Sequence, residues 1–341
     1  MYLMLKPASF ITLLLFAFSS ISFSQKLIGE DIISPRMRVI MDNDFGGDPD
    51  GLFALTHLLL SPSVEVRAII GSHLSANDGF DNSKIQAQHA VDKAREVIQA
   101  INIQSNIPVI TGSNTAMPND STPVRSEAVN FIIKEALRTD TKLPLYILCG
   151  AGLTEIASAV LTDPRITDKL TLIWIGGPEY TDLAPPPPNY SSPEYNLNID
   201  IASARVIFNK SAIPIWQVPR NAYRQAILPY SQLLLKVKPQ GKVGTYLTST
   251  LENLVGRIQK YVNLGETYIL GDSPLVLLTA LQSSFEADPS SSDYIIKMAP
   301  TINEHGSYEF NNNGRNIRVY SRLDIQLMFN DFFAKLELMK K

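Results

Sequence analysis

The sequence predicts an α/β fold, with a mostly parallel central sheet, helices on both faces and a small antiparallel addition at the C-terminus. Apolar runs of strand length alternate with helix-like segments along most of the chain. These runs show little polar–apolar alternation, as expected for strands that helices cover on both faces. After about residue 293 the pattern changes to short strands joined by turns. Alternation of this kind is typical of a parallel sheet rather than of a sandwich or a helical bundle.

The predicted elements follow in chain order. Six strands are predicted at residues 38–42, 64–71, 108–111, 145–149, 170–175 and 213–218. Helical stretches are predicted at residues 51–60, 83–100, 125–138 and 153–161. Antiparallel strands are then predicted at 294–298, 307–310 and 317–320, with a turn at 311–314 and an amphipathic helix at 322–338. Ligands of such sheets bind beyond the carboxyl ends of the strands, so the functional residues are expected there.

The first 24 residues are typical of an export signal. Lys6 is the only charge before the apolar run at residues 10–18, and Ser22 and Ser24 place small residues before Gln25. The apolar run is too short to span a bilayer, although a retained anchor is the alternative. We therefore expect residues 1–24 to be a cleaved signal peptide and residues 25–341 to form one domain. That domain is expected in a periplasm or outside the cell, with no membrane contact after cleavage.

Composition excludes some classes of function. The chain is 45% hydrophobic and 18% charged, which is ordinary for a globular protein with a large core. Its net charge of −3 provides no general basic field for a nucleic acid polymer. The single cysteine, Cys149, lies in an apolar run, which favours a buried thiol over a nucleophile.

The segment that follows the first predicted strand is unusually acidic. Residues 41–51 read MDNDFGGDPDG and contain Asp42, Asp44, Asp48 and Asp50. Carboxylates this close repel one another unless a positive group neutralises them, and a purely oxygen donor set suits Ca²⁺ or Mg²⁺. An EF-hand loop fits poorly, because Gly46 replaces a ligand and Phe53 replaces the bidentate Glu. The turn could also hold a phosphatase-type nucleophile or be a solvated acidic turn without a function.

Three more segments carry candidate functional residues. They are residues 150–157 (GAGLTEIA), 194–200 (EYNLNID) and 270–275 (LGDSPL). Each is a weak signal alone, because Glu194 could be an ordinary loop carboxylate and Asp272 an ordinary helix cap.

Together and in this order, the segments resemble the inosine–uridine-preferring nucleoside hydrolase family. The family's Asp-x-Asp-x-x-x-Asp-Asp turn resembles residues 42–50, with one residue inserted. Its Gly-Pro-Leu-Thr-Asn turn resembles residues 151–155, and its Gly-Gly strand end resembles residues 176–177. Its Glu-Phe-Asn segment resembles residues 194–196, and its His-Asp-Pro helix start resembles residues 271–274. The resemblance extends from about residue 38 to residue 333.

The resemblance implies a Ca²⁺-dependent hydrolase that converts a ribonucleoside to ribose and free base, in purine or pyrimidine salvage. Asp44 would be a metal ligand and the general base for the attacking water, which the cation would orient and activate. The further implied ligands are Asp50, Asp272 and the carbonyl of Gly150. The implied substrate contacts are Asp48, Asn189, Glu194 and Asn196, together with His73 or Asn77. Members often form homo-dimers or homo-tetramers, so either assembly is open for this chain, and the sequence indicates no interface.

Two departures from the family pattern bear on the mechanism. Pro49 separates the paired aspartates, so Asp48 and Asp50 compete for the role of main chelator. Gly271 stands where many members have a His that protonates the leaving base. Some members activate purines by aromatic stacking instead, for which Tyr195 and Tyr268 are candidates. The tryptophans, at positions 174 and 216, lie inside strand-like runs and are expected in the core.

Two other functions remain open from the sequence. One is hydrolysis of a different riboside in the same fold, since the leaving-group side has diverged at Gly271. The other is a non-catalytic Ca²⁺-dependent sugar or nucleoside binder, which would keep the carboxylates and lose the acid.

Overall fold

The computed structural model describes residues 31–103, 105–188, 190, 193–283 and 291–339. The predicted signal peptide lies outside the described residues. None of the helices in the described part of the chain combines the length and the apolar content that a bilayer crossing requires.

Eight strands form the central sheet, in the order β3-β2-β1-β4-β5-β6-β12-β9. Neighbours are parallel except for β9, which runs antiparallel to β12 at one edge. Separate antiparallel pairs are formed by β7 with β8 and by β10 with β11. The strands are β1 (Met37–Asn43), β2 (Val64–Gly71), β3 (Val109–Thr111), β4 (Leu145–Cys149), β5 (Leu170–Ile175), β6 (Ile215–Val218), β7 (Ile227–Pro229), β8 (Thr267–Ile269), β9 (Asp293–Met298), β10 (Thr301–Ile302), β11 (Tyr308–Glu309) and β12 (Asn316–Arg322).

Helices cover both faces of this sheet. They are α1 (Asp50–Leu59), α2 (Gln86–Ile101), α3 (Glu127–Ala136), α4 (Thr154–Thr162), α5 (Tyr195–Ile199), α6 (Ile201–Arg205), α7 (Arg220–Tyr223), α8 (Tyr230–Gln232), α9 (Gly241–Ile258), α10 (Pro274–Leu277) and α11 (Ile325–Leu338). A 3₁₀ turn at Pro164–Ile166 and π-helical turns at Val206–Lys210 and Leu233–Val237 complete the helical segments.

Two hydrophobic cores lie on opposite faces of the sheet. One joins the sheet to α1, α2, α9, α10 and α11. The other joins it to α3, α4 and α6. Successive side chains of β1 alternate between them, since Val39 and Met41 enter the first core and Ile40 enters the second. This arrangement explains why successive residues in the middle of β1, from Val39 to Met41, are all apolar.

The predicted fold class is confirmed, and the C-terminal region refines it. The strand predicted at 317–320 does pair with the one at 294–298, but it also lies parallel to β6 and thereby extends the main sheet. The segment predicted at 307–310 pairs instead with β10 in a separate small sheet. The antiparallel addition is therefore an edge strand plus a short hairpin.

The sheet places the acidic turn near its centre. β1 is paired on both sides, with β2 and β4, and all seven of its residues are buried. Because β1, β2, β4, β5 and β6 are parallel, their carboxyl ends meet at one edge of the sheet. Residues that follow these strands are thus brought together there.

Candidate functional site

A cavity of about 250 Å³ opens at the carboxyl ends of the central strands. It brings together residues from the acidic turn, the ends of β4 and β5, the segment around α5, and the segment before α10. Its lining comprises Asp44, Asp48, Asp50, Phe80, Gly150, Ile175, Tyr190, Glu194, Tyr195, Asn196, Tyr223, Gly271 and Asp272. Most of the residues predicted for the site therefore share one cavity.

Backbone hydrogen bonds fix the acidic turn. The amide of Gly47 donates to the carbonyl of Asp44 at 2.7 Å, which closes a tight turn directly after β1. The amide of Asp50 donates to Oδ1 of Asp48 at 3.1 Å. Asp50 then begins α1, where its carboxylate lies at the positive end of the helix dipole. Both candidate chelators thus face the cavity from the two sides of Pro49.

Asp272 is held against this turn from the opposite side of the cavity. Asn43 donates from Nδ2 to Oδ2 of Asp272 at 2.7 Å, and the Asp272 amide donates to Oδ2 of Asp50 at 3.1 Å. A Cβ atom on residue 150 would lie 2.6 Å from Oδ1 of Asp272, so only Gly150 permits this approach. The alternative that Asp272 caps a helix is wrong, because the cap position of α10 is Ser273.

The carboxyl groups of the cavity have unusual electrostatics. Burial, followed by the charges of Asp272, Asp48 and Asp78, raises the pKa of Asp44 well above its usual range. Burial, followed by the charges of Asp272 and Asp48, raises the pKa of Asp50 well above its usual range. Burial raises the pKa of Asp272 to about 7. No Lys, Arg or His is among the described residues that line the cavity, so the protein itself does not neutralise these carboxylates.

The donor set fits a hard cation in its chemistry. Asp44, Asp50, Asp272 and the backbone of Gly150 offer oxygens only, which Ca²⁺ prefers. Within the described ranges, no three His, Cys, Asp or Glu side chains are yet gathered closely enough to enclose an ion. Both oxygens of Asp50 accept from backbone amides, those of Gly51 and Asp272. A cation would have to draw these carboxylates together against their mutual repulsion.

Glu194 and Asn196 line the opposite wall. Oε2 of Glu194 accepts from the amide of Gly177 at 2.7 Å and from the amide of Leu197 at 3.1 Å, so this carboxylate caps α5. Its Oε1 accepts from the hydroxyl of Tyr223 at 2.8 Å. Asn196 donates from Nδ2 to the carbonyl of Ile175 at 2.8 Å. Both side chains are thereby tied to the end of β5 while facing the cavity.

The structure does not bring every predicted residue into the cavity. His73 is buried, with Nδ1 2.8 Å from the carbonyl of Leu74 and Nε2 3.0 Å from Oγ1 of Thr154, and it is absent from the lining. Asn77 is exposed on the same loop in a left-handed conformation, also outside the lining. Neither residue lines the cavity, and the expectation that one of them contacts the ligand stays a prediction. Asn189 lies outside the described residues.

Four aromatic side chains contribute to the lining, and the sequence indicated only one of them. The set is Phe80, Tyr190, Tyr195 and Tyr223. Tyr195 was a predicted stacking residue, and its hydroxyl donates to Oδ2 of Asp78 at 2.8 Å. Tyr268, the second predicted stacking residue, lines a neighbouring apolar cavity of about 340 Å³. The only local signal for Tyr223 is its position five residues beyond the end of β6.

A second acidic pair is buried behind the cavity. Oδ1 of Asp42 accepts from the hydroxyl of Ser72, and Oε1 of Glu155 accepts from the amide of Ser113 at 2.6 Å. Burial raises the pKa of Asp42 to about 7 and that of Glu155 to about 8. Cys149 is a free buried thiol, as predicted, and its burial raises its pKa well above the usual range. This thiol is therefore poorly suited to act as a nucleophile.

Comparison with known sequences places this geometry in context. The family model described as inosine-uridine preferring nucleoside hydrolase matches residues 39–330. A curated protein of that name from Leishmania major is 28% identical over 193 residues, which cover 52% of this chain. The match spans only 58% of the length of that relative.

Solved structures share the fold at lower identity. A purine-preferring ribonucleoside hydrolase from Gardnerella vaginalis superposes with a TM-score of 0.67 at 17% identity, covering 89% of this chain and 98% of that one. An inosine-uridine preferring nucleoside hydrolase from Bacillus anthracis superposes with a TM-score of 0.63 at 18% identity, covering 88% of this chain and 99% of that one. At such identities the likeness establishes the fold alone.

Proposed function

The chain belongs to the inosine-uridine preferring nucleoside hydrolase family, and from that premise we propose that it hydrolyses the N-glycosidic bond of ribonucleosides to give ribose and free base. The observation that carries the proposal is the convergence of Asp44, Asp48, Asp50 and Asp272 in one cavity without a neutralising side chain among its described residues. Buried like charges are costly, and they persist where a ligand supplies the missing charge.

We propose Ca²⁺ as that ligand. Asp44, Asp50, Asp272 and the carbonyl of Gly150 would hold it, and Asn43 would orient Asp272 through their hydrogen bond. When bound, the cation supplies positive charge that orients the sugar hydroxyls and favours ionisation of the attacking water. Of the two candidate chelators, Asp50 is proposed, because it lies at the start of α1 and against Asp272. Asp48 is then left to bind sugar.

Asp44 is the proposed general base. Its carboxylate directly follows the central strand and lines the cavity, where a water molecule bound beside the sugar would meet it. A water proton would pass to Asp44 as the water oxygen attacks C1′ and the electrons of the C1′–N bond leave with the base. Such a displacement passes through an oxocarbenium-like transition state.

The sugar is proposed to lie between the acidic turn and the α5 wall. The sugar hydroxyls would donate hydrogen bonds to the carboxylates of Asp48 and Glu194 and would bond to the side-chain amide of Asn196. All three residues line the cavity. The fixed hydrogen bonds of Glu194 and Asn196 to the end of β5 would limit their motion and thereby hold the sugar in one orientation. The mature chain is proposed to begin near Gln25 and to act after export.

The test is release of reducing sugar by the chain from Gln25, using purine and pyrimidine ribonucleosides with and without a Ca²⁺ chelator. Ribose release that the chelator abolishes and that added Ca²⁺ restores is the expected result. Release that is unaffected by the chelator would refute the metal assignment. No release from any riboside by protein shown to bind Ca²⁺ would refute hydrolysis.

One observation favours a second candidate. Gly271 gives the leaving-group side of the cavity no acidic side chain, as expected for a Ca²⁺-dependent binding protein that has lost catalysis. Calorimetry with ribonucleosides distinguishes the two, because a binder would show saturable heat with no free base in the cell afterwards. Continuous heat after each injection of ribonucleoside, together with free base in the cell, would support the hydrolase.

A further inference from the structure

The central sheet has two edges, and they differ in how well they are protected against pairing with another chain. At one edge, β3 has three residues and follows Pro108, and both a short strand and a proline oppose such pairing. At the other edge, β9 has six residues and contains no proline. Within the described ranges, no strand pairs with the outer side of β9. The β9 edge can therefore accept a further strand.

The β9 edge also exposes apolar side chains on both faces of the sheet. Ile295 is 42% exposed and Ile296 is 53% exposed, and they point to opposite faces because side chains alternate along a strand. Ile296 shares its face with Tyr294, which packs against the first core. Ile295 shares its face with Lys297, whose Nζ lies 5.3 Å from the centroid of the Tyr180 ring in the second core.

The apolar surface continues beyond the strand. Phe310 is exposed directly after β11, and its ring lies 5.8 Å from the ring of Tyr180, which Lys297 covers. Met298, the last residue of β9, is exposed as well. A continuous exposed apolar patch beside a strand edge is typical of a surface that binds another protein chain.

The charges of β9 are complementary to themselves. Asp293 and Lys297 lie on the same face, with Ile295 midway between them. Asp293 accepts from Nε of Arg322 at 2.7 Å, and Lys297 donates to Oδ2 of Asp182 at 2.6 Å. Because an ammonium group has three donors, Lys297 can bind a second carboxylate without losing Asp182.

We propose that β9 pairs antiparallel with β9 of a second copy of this chain, about a two-fold axis that is perpendicular to the sheet and passes through Ile295. Residues that lie opposite each other in an antiparallel pair share a face. The axis therefore places Asp293 opposite Lys297 of the second copy, and Tyr294 opposite Ile296 of the second copy. Two-fold symmetry makes each of these contacts occur twice. The two eight-stranded sheets then form one continuous sheet.

This register follows from charge and shape. Opposite charges, and an aromatic ring beside a β-branched side chain, are favourable cross-strand pairs. An axis through Ile296 would instead place Lys297 opposite Ile295 and would pair no opposite charges across the interface. A second copy is the partner that the edge fits, because the sequence of β9 is its own complement in the proposed register.

The first test is analytical ultracentrifugation of the Ca²⁺-loaded chain from Gln25 over a range of concentrations. A dimer is the expected result, and a chain that stays monomeric up to about 100 μM would overturn the proposal. Deuterium exchange then locates the interface without any substitution. The amides of β9 should exchange more slowly in the dimer than in the dilute monomer, and equal exchange rates would overturn the proposal.

Charge reversal tests the register. Asp293→Lys and Lys297→Asp each place like charges opposite each other twice, so each is expected to weaken dimerisation by at least about tenfold. Mixed in equal amounts, the two variants should dimerise with nearly the affinity of the unaltered chain, because opposite charges then meet across the interface. Thermal melts establish that both variants are folded. A mixture that stays monomeric, or a single variant that dimerises as well as the unaltered chain, would overturn the proposal.

The matched control is Asp168→Lys, which reverses an exposed acid on the turn before β5. Its carboxylate accepts from Nζ of Lys169 at 3.1 Å, an exposed pair comparable to that of Asp293 with Arg322. This variant is expected to dimerise with unchanged affinity. A loss as large as that of Asp293→Lys would mean that net charge rather than the β9 edge controls association, and would overturn the proposal.

Discussion

The two ends of β1 hold buried carboxylates in opposite ways. Near its start, Arg38 donates to Oε1 of Glu135 at 2.6 Å, and Arg67 and Arg138 approach the same oxygen at 3.2 and 3.0 Å. Both Arg38 and Glu135 are about 4% exposed. At its other end, the acidic turn and Asp272 converge with no basic side chain among the described lining residues.

This difference separates a structural end of the sheet from a functional one. A buried carboxylate that the protein pairs itself contributes to folding or costs little. One that is left unpaired lowers stability until a ligand arrives, and such groups cluster at functional sites. One strand therefore has paired charges at its start, where Arg38 contacts Glu135, and unpaired carboxylates just beyond its end.

The largest effect is expected from a substitution in the acidic turn at the carboxyl end of β1. Asp44→Asn removes the proposed base while keeping the side-chain shape, and kcat is expected to fall by roughly 10²–10⁴-fold or more. Circular dichroism should be unchanged, and the free energy of unfolding in chelator should not fall, because one buried repulsive charge has gone. Full activity in this variant would show that Asp44 is not the base.

The next largest effect is expected from a substitution in the ion-pair network at the start of β1. Glu135→Gln leaves Arg38 buried without its counter-charge, which is expected to cost about 3–5 kcal/mol in the free energy of unfolding. Urea denaturation measures this, while KM of the remaining folded protein should be unchanged. A loss below about 1 kcal/mol, the value of an exposed pair, would place the two ends in the same class.

Stability against pH sharpens the comparison. The pKa of Asp272 is about 7 in the folded protein and near its usual acidic value when unfolded. The folded state then binds more protons between these values, so stability in chelator is fully present at acidic pH and is lost as pH rises towards about 7. Ca²⁺ at 100 times the Kd that it has at pH 8 should restore about 2.7 kcal/mol at pH 8. The same Ca²⁺ concentration should stabilise the protein less at pH 5, where protons compete for the carboxylates. Thermal melts at pH 5 and pH 8, each in chelator and in Ca²⁺, measure this. A Ca²⁺ effect confined to pH 5 would contradict the proposal that Asp272 binds the cation.

The smallest effect acts through an orienting residue. Asn43→Ala removes the hydrogen bond to Asp272 and is expected to weaken Ca²⁺ binding by about 10–100-fold, as loss of such outer contacts usually does. Titration calorimetry measures the affinity. The matched control is Asn209→Ala, which loses a hydrogen bond of 2.8 Å to the carbonyl of Ile302 away from the cavity. Equal Ca²⁺ affinity in both variants would remove Asn43 from the proposed site.

Much of the fold follows from local sequence, because buried parallel strands are continuous apolar runs. The bounds predicted for β2, β4 and β5 match the structure, and those of β1 extend by one residue at each end. The position of β12 does not follow, because an apolar run does not specify which strand lies beside it. Its pairing with β6 is set by the tertiary packing of residues 316–322.

The acidic half of the site was predictable and the aromatic half was not. Carboxylates in a strand-end turn are costly without a role, so their function shows in the sequence itself. An isolated Tyr or Phe is more often a core residue, and Tyr223 and Phe80 reach the cavity through loops whose course no local pattern specifies. His73 follows a strand end, but its ring is buried against Thr154 and the Leu74 carbonyl and does not line the cavity.

The central position of β1 has a consequence for how activity is lost. It is hydrogen-bonded to neighbours on both sides, and the carbonyls of its last two residues, Asp42 and Asn43, accept from the amides of Gly150 and Ser72. Amides in such a strand exchange with solvent deuterium only when the whole sheet opens. The carboxylates of the proposed site are therefore expected to follow the slowest-exchanging strand of the sheet. Partial opening of the β9 edge would leave them in place, and catalysis should end only with cooperative unfolding of the sheet.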